Sequence, residues 1–253
     1  KEIGVALLGL GTVGVGVVET LQKNGSLLAA RLGVRPVLRG IADLDLTSDR
    51  GVSVEPGLLT TDGAALIARP DVQVVVELIG GSGVAKDFVL QALKLGKPVV
   101  TANKKLLAEY GEEIHRAAEE HNTEILFEAS VGGGIPIIKA LREGLCANRI
   151  ECMYGILNGT CNYILTRMED EKLPFDDVLK AAQAAGYAEA EPSLDVDGHY
   201  TAHKAAVLAS LAYGCNVPLA KVRVAGIRGI AQADIAYAAE MGYRIKLLAI
   251  IRG

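Results

Sequence analysis

Apolar positions in the first part of the chain follow two alternating rhythms. Short dense runs of Val, Ile and Leu end at Leu8 and cover residues 36–42, 72–78, 98–101 and 125–128, and they predict buried strands. Between them, apolar residues recur at helical spacing over 13–24, 86–95 and 104–121, with Gly25 and Gly96 placed to close the first two. Strands alternating with helices of this length predict a parallel sheet covered on both faces, with an insertion between the first helix and the second strand. This first domain is expected to span residues 1–130.

The rhythm then changes. Gly132, Gly133 and Gly134 lead to Pro136, a helix from Ile137 and a strand over 150–156. Two or three helices follow, including 175–185 closed by Gly186. A loop carries Glu189, Glu191, Pro192, Asp195 and Asp197, a helix over 201–213 is closed by Gly214, and a strand covers 243–251. Residues 131–253 are therefore expected to form a second, α+β domain. A strand stopping at the last residues suggests that its C-terminal part is lacking.

Chemistry enters with the first turn. The run ending at Leu8 passes into G-x-G-x-x-G (Gly9, Gly11, Gly14, with Thr12 and Val13 between them) and then into a helix, the setting of a Rossmann-type, doubly wound dinucleotide-binding fold. Gly9 would allow the tight turn, Gly11 the approach of a pyrophosphate, and Gly14 close packing of helix on strand. The bland alternative is a glycine-rich turn without a ligand. Asp43, at the end of the second strand, is a candidate for the ribose hydroxyls of NAD, although it lies 29 residues beyond Gly14 rather than the usual spacing of about 20. Arg39 or Arg50 could instead take the 2′-phosphate of NADP.

Composition narrows the classes. Half of the 253 residues are apolar and 22% are charged, enough for a sizeable core. A net charge of -4, with three Phe, eight Tyr and no Trp, argues against nucleic acid. No stretch approaches the roughly 18 apolar residues of a membrane span, so the expected location is the cytoplasm, with no membrane partner. Cys146, Cys152, Cys161 and Cys215 show no C-x-x-C spacing and read as reduced core thiols.

Lys204 shares an apolar stripe with Val207, Leu208 and Leu211 near the start of its expected helix. Burial and the positive helix end would both lower its pKa toward proton exchange, with Glu189 and Asp195 upstream to orient it or hold a cationic amine. The alternative is a lysine that snorkels to the surface. Asn103 and Lys104 follow a short buried strand, at the carboxyl end where open α/β sheets bind ligands; Lys104 also fits the first turn of a solvated helix.

The segments VVVELIGG (74–81), PVVTANKKLLA (98–108), EASVGGGIPII (128–138), GILNGTCNYILTRM (155–168) and GYAEAEPSLDVDGHYTAHKAAVLASLAYG (186–214) together resemble homoserine dehydrogenases over essentially the whole chain. The resemblance implies reversible reduction of L-aspartate 4-semialdehyde to L-homoserine with NADP or NAD. It also implies a homodimer or homotetramer whose second domain binds substrate and dimerises. Lys204 becomes the catalytic lysine and Lys104 a second lysine at the reaction centre. Glu189, Asp195 and Lys104 become substrate contacts, and Gly80, Thr101, Asn103 and Lys104 join the cofactor set. The family also binds a monovalent cation, typically sodium, which would fall at Glu128, Val131, Gly133 and Ile135.

One position departs from the pattern. Where the family has G-x-D-x-x-x-K, residues 198–204 place Tyr200 at the aspartate, which predicts weakened activity or altered substrate binding. His199 and His203 have the spacing of a helical zinc pair but lack further ligands, and Cys161 reads as packing rather than as a thiol nucleophile. Two rivals stay open: another two-domain NAD(P) oxidoreductase of small alcohols or sugars, and a catalytically inactive NAD(P)-binding regulatory protein.

Overall fold

The computed structural model describes residues 1–253, apart from the side chain of Pro56. The chain forms two compact units, Lys1–Pro136 and Ile137–Gly253.

In the first unit, strands β1 (Glu2–Leu8), β2 (Arg35–Ala42), β3 (Leu59–Thr60), β4 (Val74–Glu77), β5 (Val99–Thr101) and β6 (Ile125–Leu126) form a wholly parallel sheet in the order β3-β2-β1-β4-β5-β6. The order reverses between β1 and β4, so the connections leaving their carboxyl ends diverge and open a crevice there. Helices α1 (Thr12–Leu32), α2 (Gly63–Ala68), α3 (Val84–Lys94) and α4 (Lys104–Glu120) cover the sheet. Leu7, Leu10, Val18 and Ile41 form one core cluster beneath the crevice.

Two sequence expectations change here. Helix α1 runs through Gly25 and ends at Gly33, whose φ of 69° and N–H bond to the Ala29 oxygen close it. A glycine inside a helix costs about 1 kcal/mol but stops it only where the chain must turn left-handed, and Leu27, Leu28, Ala29 and Ala30 extend the apolar pattern. The insertion expected between the first helix and the second strand is thus taken up by α1 itself, while β3 and α2 lie between β2 and β4, α2 capped by Asp62, whose side chain accepts the Ala65 N–H.

The second unit holds α5 (Ile137–Lys139), which runs into a π-helical turn, then β7 (Cys152–Gly155), α6 (Gly159–Glu171), α7 (Phe175–Ala184), α8 (Ser193–Val196), α9 (His199–Tyr213), α10 (Gln232–Glu240) and β8 (Ala249–Arg252). β7 and β8 pair antiparallel. Ile164, Leu165 and Met168 of α6 meet Val178 and Ala182 of α7, Val196 of α8 and Ile235 of α10 in its core. The expected final strand is confined to residues 249–252. The segment before it is held by α6 instead: Asn162 donates to the Leu247 oxygen and accepts from the Leu247 N–H, and Lys246 donates to Thr166. Three of the four cysteines are exposed, against the expectation of core thiols; Cys152 lies on the outward face of β7 and only Cys161 is buried.

Candidate active site

At the crevice of the first unit, Gly9 adopts φ 96°, and a Cβ there would lie 2.9 Å from the Leu78 main chain. A Cβ on Gly14 would sit 2.2 Å from the Gly9 oxygen. Both glycines are thus demanded by the protein's own packing. Gly11 is different: nothing lies within 4 Å of its Cβ position, so the protein itself leaves room there. No side chain caps the N-terminus of α1, where first-turn N–H groups lack intrahelical partners and the dipole is positive. An open glycine before an uncapped 21-residue helix fits a pyrophosphate. Thr12 and Val13 occupy that first turn, both exposed.

Asp43 closes the turn from below. Its carboxylate accepts the Leu10 N–H at 2.6 Å and the Asp45 N–H at 2.9 Å, while Arg50 approaches it at 3.7 Å and Asp45 at 3.1 Å. The ribose candidate therefore also holds the glycine loop in shape. Arg39 has to be removed from the cofactor set. It occupies a bulge between the Val5–Leu38 and Ala6–Gly40 pairs and bonds Glu2 at 2.7 Å, toward the amino end of the sheet. There it lines a groove of about 1130 Å³ between α1 and β2, with Val18, Gln22, Ala29 and Val37, away from the carboxyl ends where the crevice lies.

On the other side of the crevice, Gly80 (φ 82°) is open, with nothing within 4 Å of a Cβ. Asn103 caps α4 by accepting the Leu106 N–H and donates to the Gly81 oxygen at 2.7 Å. Thr101 is 1% exposed and its hydroxyl is engaged by Glu77 and by the Asn103 N–H. It shapes the mouth rather than lining it, a second correction. Glu77, which the linear pattern does not single out, is a fully buried carboxylate inside a β-branched run; its signal in the sequence is a lone acid at the end of a buried strand. Lys104 is the first residue of α4, half-buried.

In the second unit, the Nζ of Lys204 donates to the Leu157 oxygen at 2.6 Å. The next residue, Asn158, donates to Asp195 at 2.7 Å and caps α6 by accepting the Cys161 N–H. One turn thus holds both the lysine and a carboxylate. Helix α9 begins two residues earlier than expected, behind Gly198 (φ 87°), which places Lys204 in its second turn. The helix-end field fades within the first turn, so it acts less on this lysine than the sequence suggested. Glu189 is exposed, and its main-chain oxygen accepts from Gln183. Burial, then the Glu189 and Asp195 carboxylates, push the Tyr200 phenol up from its ordinary value. Arg228, also missed from sequence, bonds Asp197 at 2.5 Å.

Cys161 is no nucleophile. Burial, reinforced by Asp195 and Asp197, pushes its thiol up to about 12, and its Sγ lies 3.1 Å from the Asp195 oxygen. His199 is exposed and His203 buried, and no group of three or more His, Cys, Asp or Glu among the described residues could hold a metal ion. Residues 128–135, the cation candidate, form a 3-10 turn over Glu128–Ser130, a buried Val131, Gly133 at φ 55° and a turn closed by the Ile135 N–H on the Gly132 oxygen.

Two family models cover nearly the whole chain: homoserine dehydrogenase, NAD binding domain, over residues 9–128, and homoserine dehydrogenase over 136–252. The chain belongs to the homoserine dehydrogenase family. It is 49% identical over 253 residues to homoserine dehydrogenase of Neisseria gonorrhoeae, covering 100% of this chain and 58% of that protein. It matches the crystal structure of a homoserine dehydrogenase from Thiobacillus denitrificans with a TM-score of 0.96 and 47% identity, over 100% of this chain and 58% of that one. A hyperthermophilic archaeal homoserine dehydrogenase in complex with NADPH matches with a TM-score of 0.83 and 26% identity, over 100% of this chain and 79% of that one. The chain thus spans 58% of the length of the Neisseria relative. Among the described residues no helix is long and apolar enough to cross a membrane.

Proposed function

We propose that this homoserine dehydrogenase family member catalyses the NAD(P)-dependent reversible reduction of L-aspartate 4-semialdehyde to L-homoserine. The first unit holds the dinucleotide through Gly9, Gly11, Thr12, Val13 and Gly14, with Asp43 or Arg50 at the ribose and Gly80, Asn103 and Lys104 at the opposite side. When bound, the reduced nicotinamide supplies a hydride to the aldehyde carbon. Lys204 delivers the proton to the aldehyde oxygen, directly or through a water, and Glu189 and Asp195 hold the substrate ammonium. Lys104 supplies positive charge to the substrate.

The single observation that carries this reading is the turn at residues 157–158, which fixes the Lys204 ammonium and the Asp195 carboxylate at once. Main-chain oxygens at Glu128, Val131, Gly133 and Ile135 suit a hard monovalent cation such as sodium. Tyr154 and Ile250 face each other on an exposed side of β7 and β8, at 78% and 60% exposure, which supports a homodimer formed through the second unit. We place the protein in the cytoplasm.

The test follows NADPH absorbance with aspartate semialdehyde for the wild type and for Lys204→Ala. Loss of turnover by about 10²–10⁴, with NADPH binding retained, is the expected result. Wild-type rates in the variant would overturn the role of Lys204.

A further inference from the structure

Glu77 is 0% exposed, yet both its carboxylate oxygens are engaged. One accepts the Ile79 and Gly80 N–H groups at 2.9 and 3.0 Å; the other accepts the Thr101 hydroxyl at 2.6 Å. The same hydroxyl accepts the Asn103 N–H at 2.9 Å, and the Asn103 carboxamide returns to the Gly81 oxygen at 2.7 Å. These bonds close a ring that links the loop after β4 to the loop after β5. Its reach extends further: the Leu78 N–H bonds the Leu8 oxygen, and Gly9 packs against Leu78 and Ile79.

A carboxylate buried so completely is costly unless its acceptors are filled, and an apolar residue would pack the end of a buried strand without that cost. Here the acceptors are filled by two N–H groups of a left-handed glycine turn and by a hydroxyl one strand away. We infer that Glu77 is a positioning residue for the dinucleotide site, its buried carboxylate locking the Gly80–Gly81 turn to the Thr101–Lys104 segment. This rests on the dinucleotide reading above. Without that lock, the turn against which Gly9 packs and the cap that starts α4 at Lys104 are free to shift independently, and a ligand must then order them as it binds.

NADPH binding, followed by fluorescence titration of the purified chain, separates this role from simple stabilisation when thermal melts accompany it. Glu77→Gln keeps one acceptor for Ile79 and Gly80 but leaves the Thr101 hydroxyl without its carboxylate. Thr101→Val breaks the same link from the other end, and Thr101→Ser keeps the hydroxyl. Glu77→Gln and Thr101→Val are each expected to raise the NADPH Kd about tenfold, the scale of one hydrogen bond to a charged acceptor. The double variant should lose no more than either single one, because one ring is broken once. Thr101→Ser should recover most of what Thr101→Val loses. A lowered Tm with unchanged Kd, or Kd effects that multiply in the double variant, would overturn the inference. Should Glu77→Gln not fold, the comparison of Thr101→Val with Thr101→Ser decides by the same criterion. Absence of NADPH binding by the wild type would instead remove the dinucleotide reading, and this inference with it.

Discussion

The ammonium of Lys204 is bonded to the main-chain oxygen of Leu157 at 2.6 Å, one residue before the side chain that holds Asp195. A main-chain acceptor thus helps to fix the amine. The turn therefore sets the position of both charged groups, and its geometry depends on Asn158, which also caps α6.

Asn158→Ala should consequently act in two ways. Loss of the cap is expected to lower stability by about 1 kcal/mol, read from urea denaturation. Loss of the donor to Asp195 should raise the homoserine KM by about fivefold or more while NADPH affinity stays put. An unchanged KM would detach Asp195 from the substrate.

Tyr200 lies one helical turn before Lys204, within electrostatic reach of Glu189 and Asp195. With its phenol pushed above the ordinary value, it stays neutral at physiological pH and offers a hydroxyl where the family pattern has a carboxylate. Tyr200→Asp is expected to raise kcat/KM for homoserine by about tenfold through an i, i+4 partner for the lysine. Equal steady-state rates would show that the hydroxyl already serves.

The glycines of the first turn should separate folding from binding. Gly14→Ala places a methyl 2.2 Å from the Gly9 oxygen and should cost about 2 kcal/mol or more. Gly11→Ala meets no protein atom, so its stability cost should not exceed about 1 kcal/mol, yet NADPH affinity should fall at least about tenfold. Paired melts and fluorescence titrations check both. Retained affinity in Gly11→Ala would move the pyrophosphate elsewhere.

Iodoacetamide at pH 8 should label Cys146, Cys152 and Cys215 and spare Cys161, as peptide mass mapping would reveal. The Cys161 thiol is raised to about 12 in the folded protein from an ordinary 9. The contribution of this group to stability is therefore complete below about pH 9 and is lost as pH rises toward 12. Cys161→Ala should flatten that part of the alkaline denaturation profile.

The parallel sheet and the glycine turn were legible in the order of residues, because each depends on local periodicity or on a motif confined to one turn. Gly9 could be read as the turn glycine and Gly14 as the packing glycine since strand and helix follow one another directly. What the linear pattern could not carry were partnerships between residues distant in the chain. Arg39 looked like a phosphate ligand until a bulge turned it to Glu2, 37 positions away. Thr101 looked like a cofactor contact until its burial against Glu77 was seen, and Glu77 itself passed as one letter in a strand. The hold of Leu157 on Lys204, across 47 residues, arises only when folding brings the turn before α6 to the side of α9. Local patterns are written by backbone geometry and solvent; the choice of partner for a buried charge is made by whichever chain segment folding brings within hydrogen-bond reach.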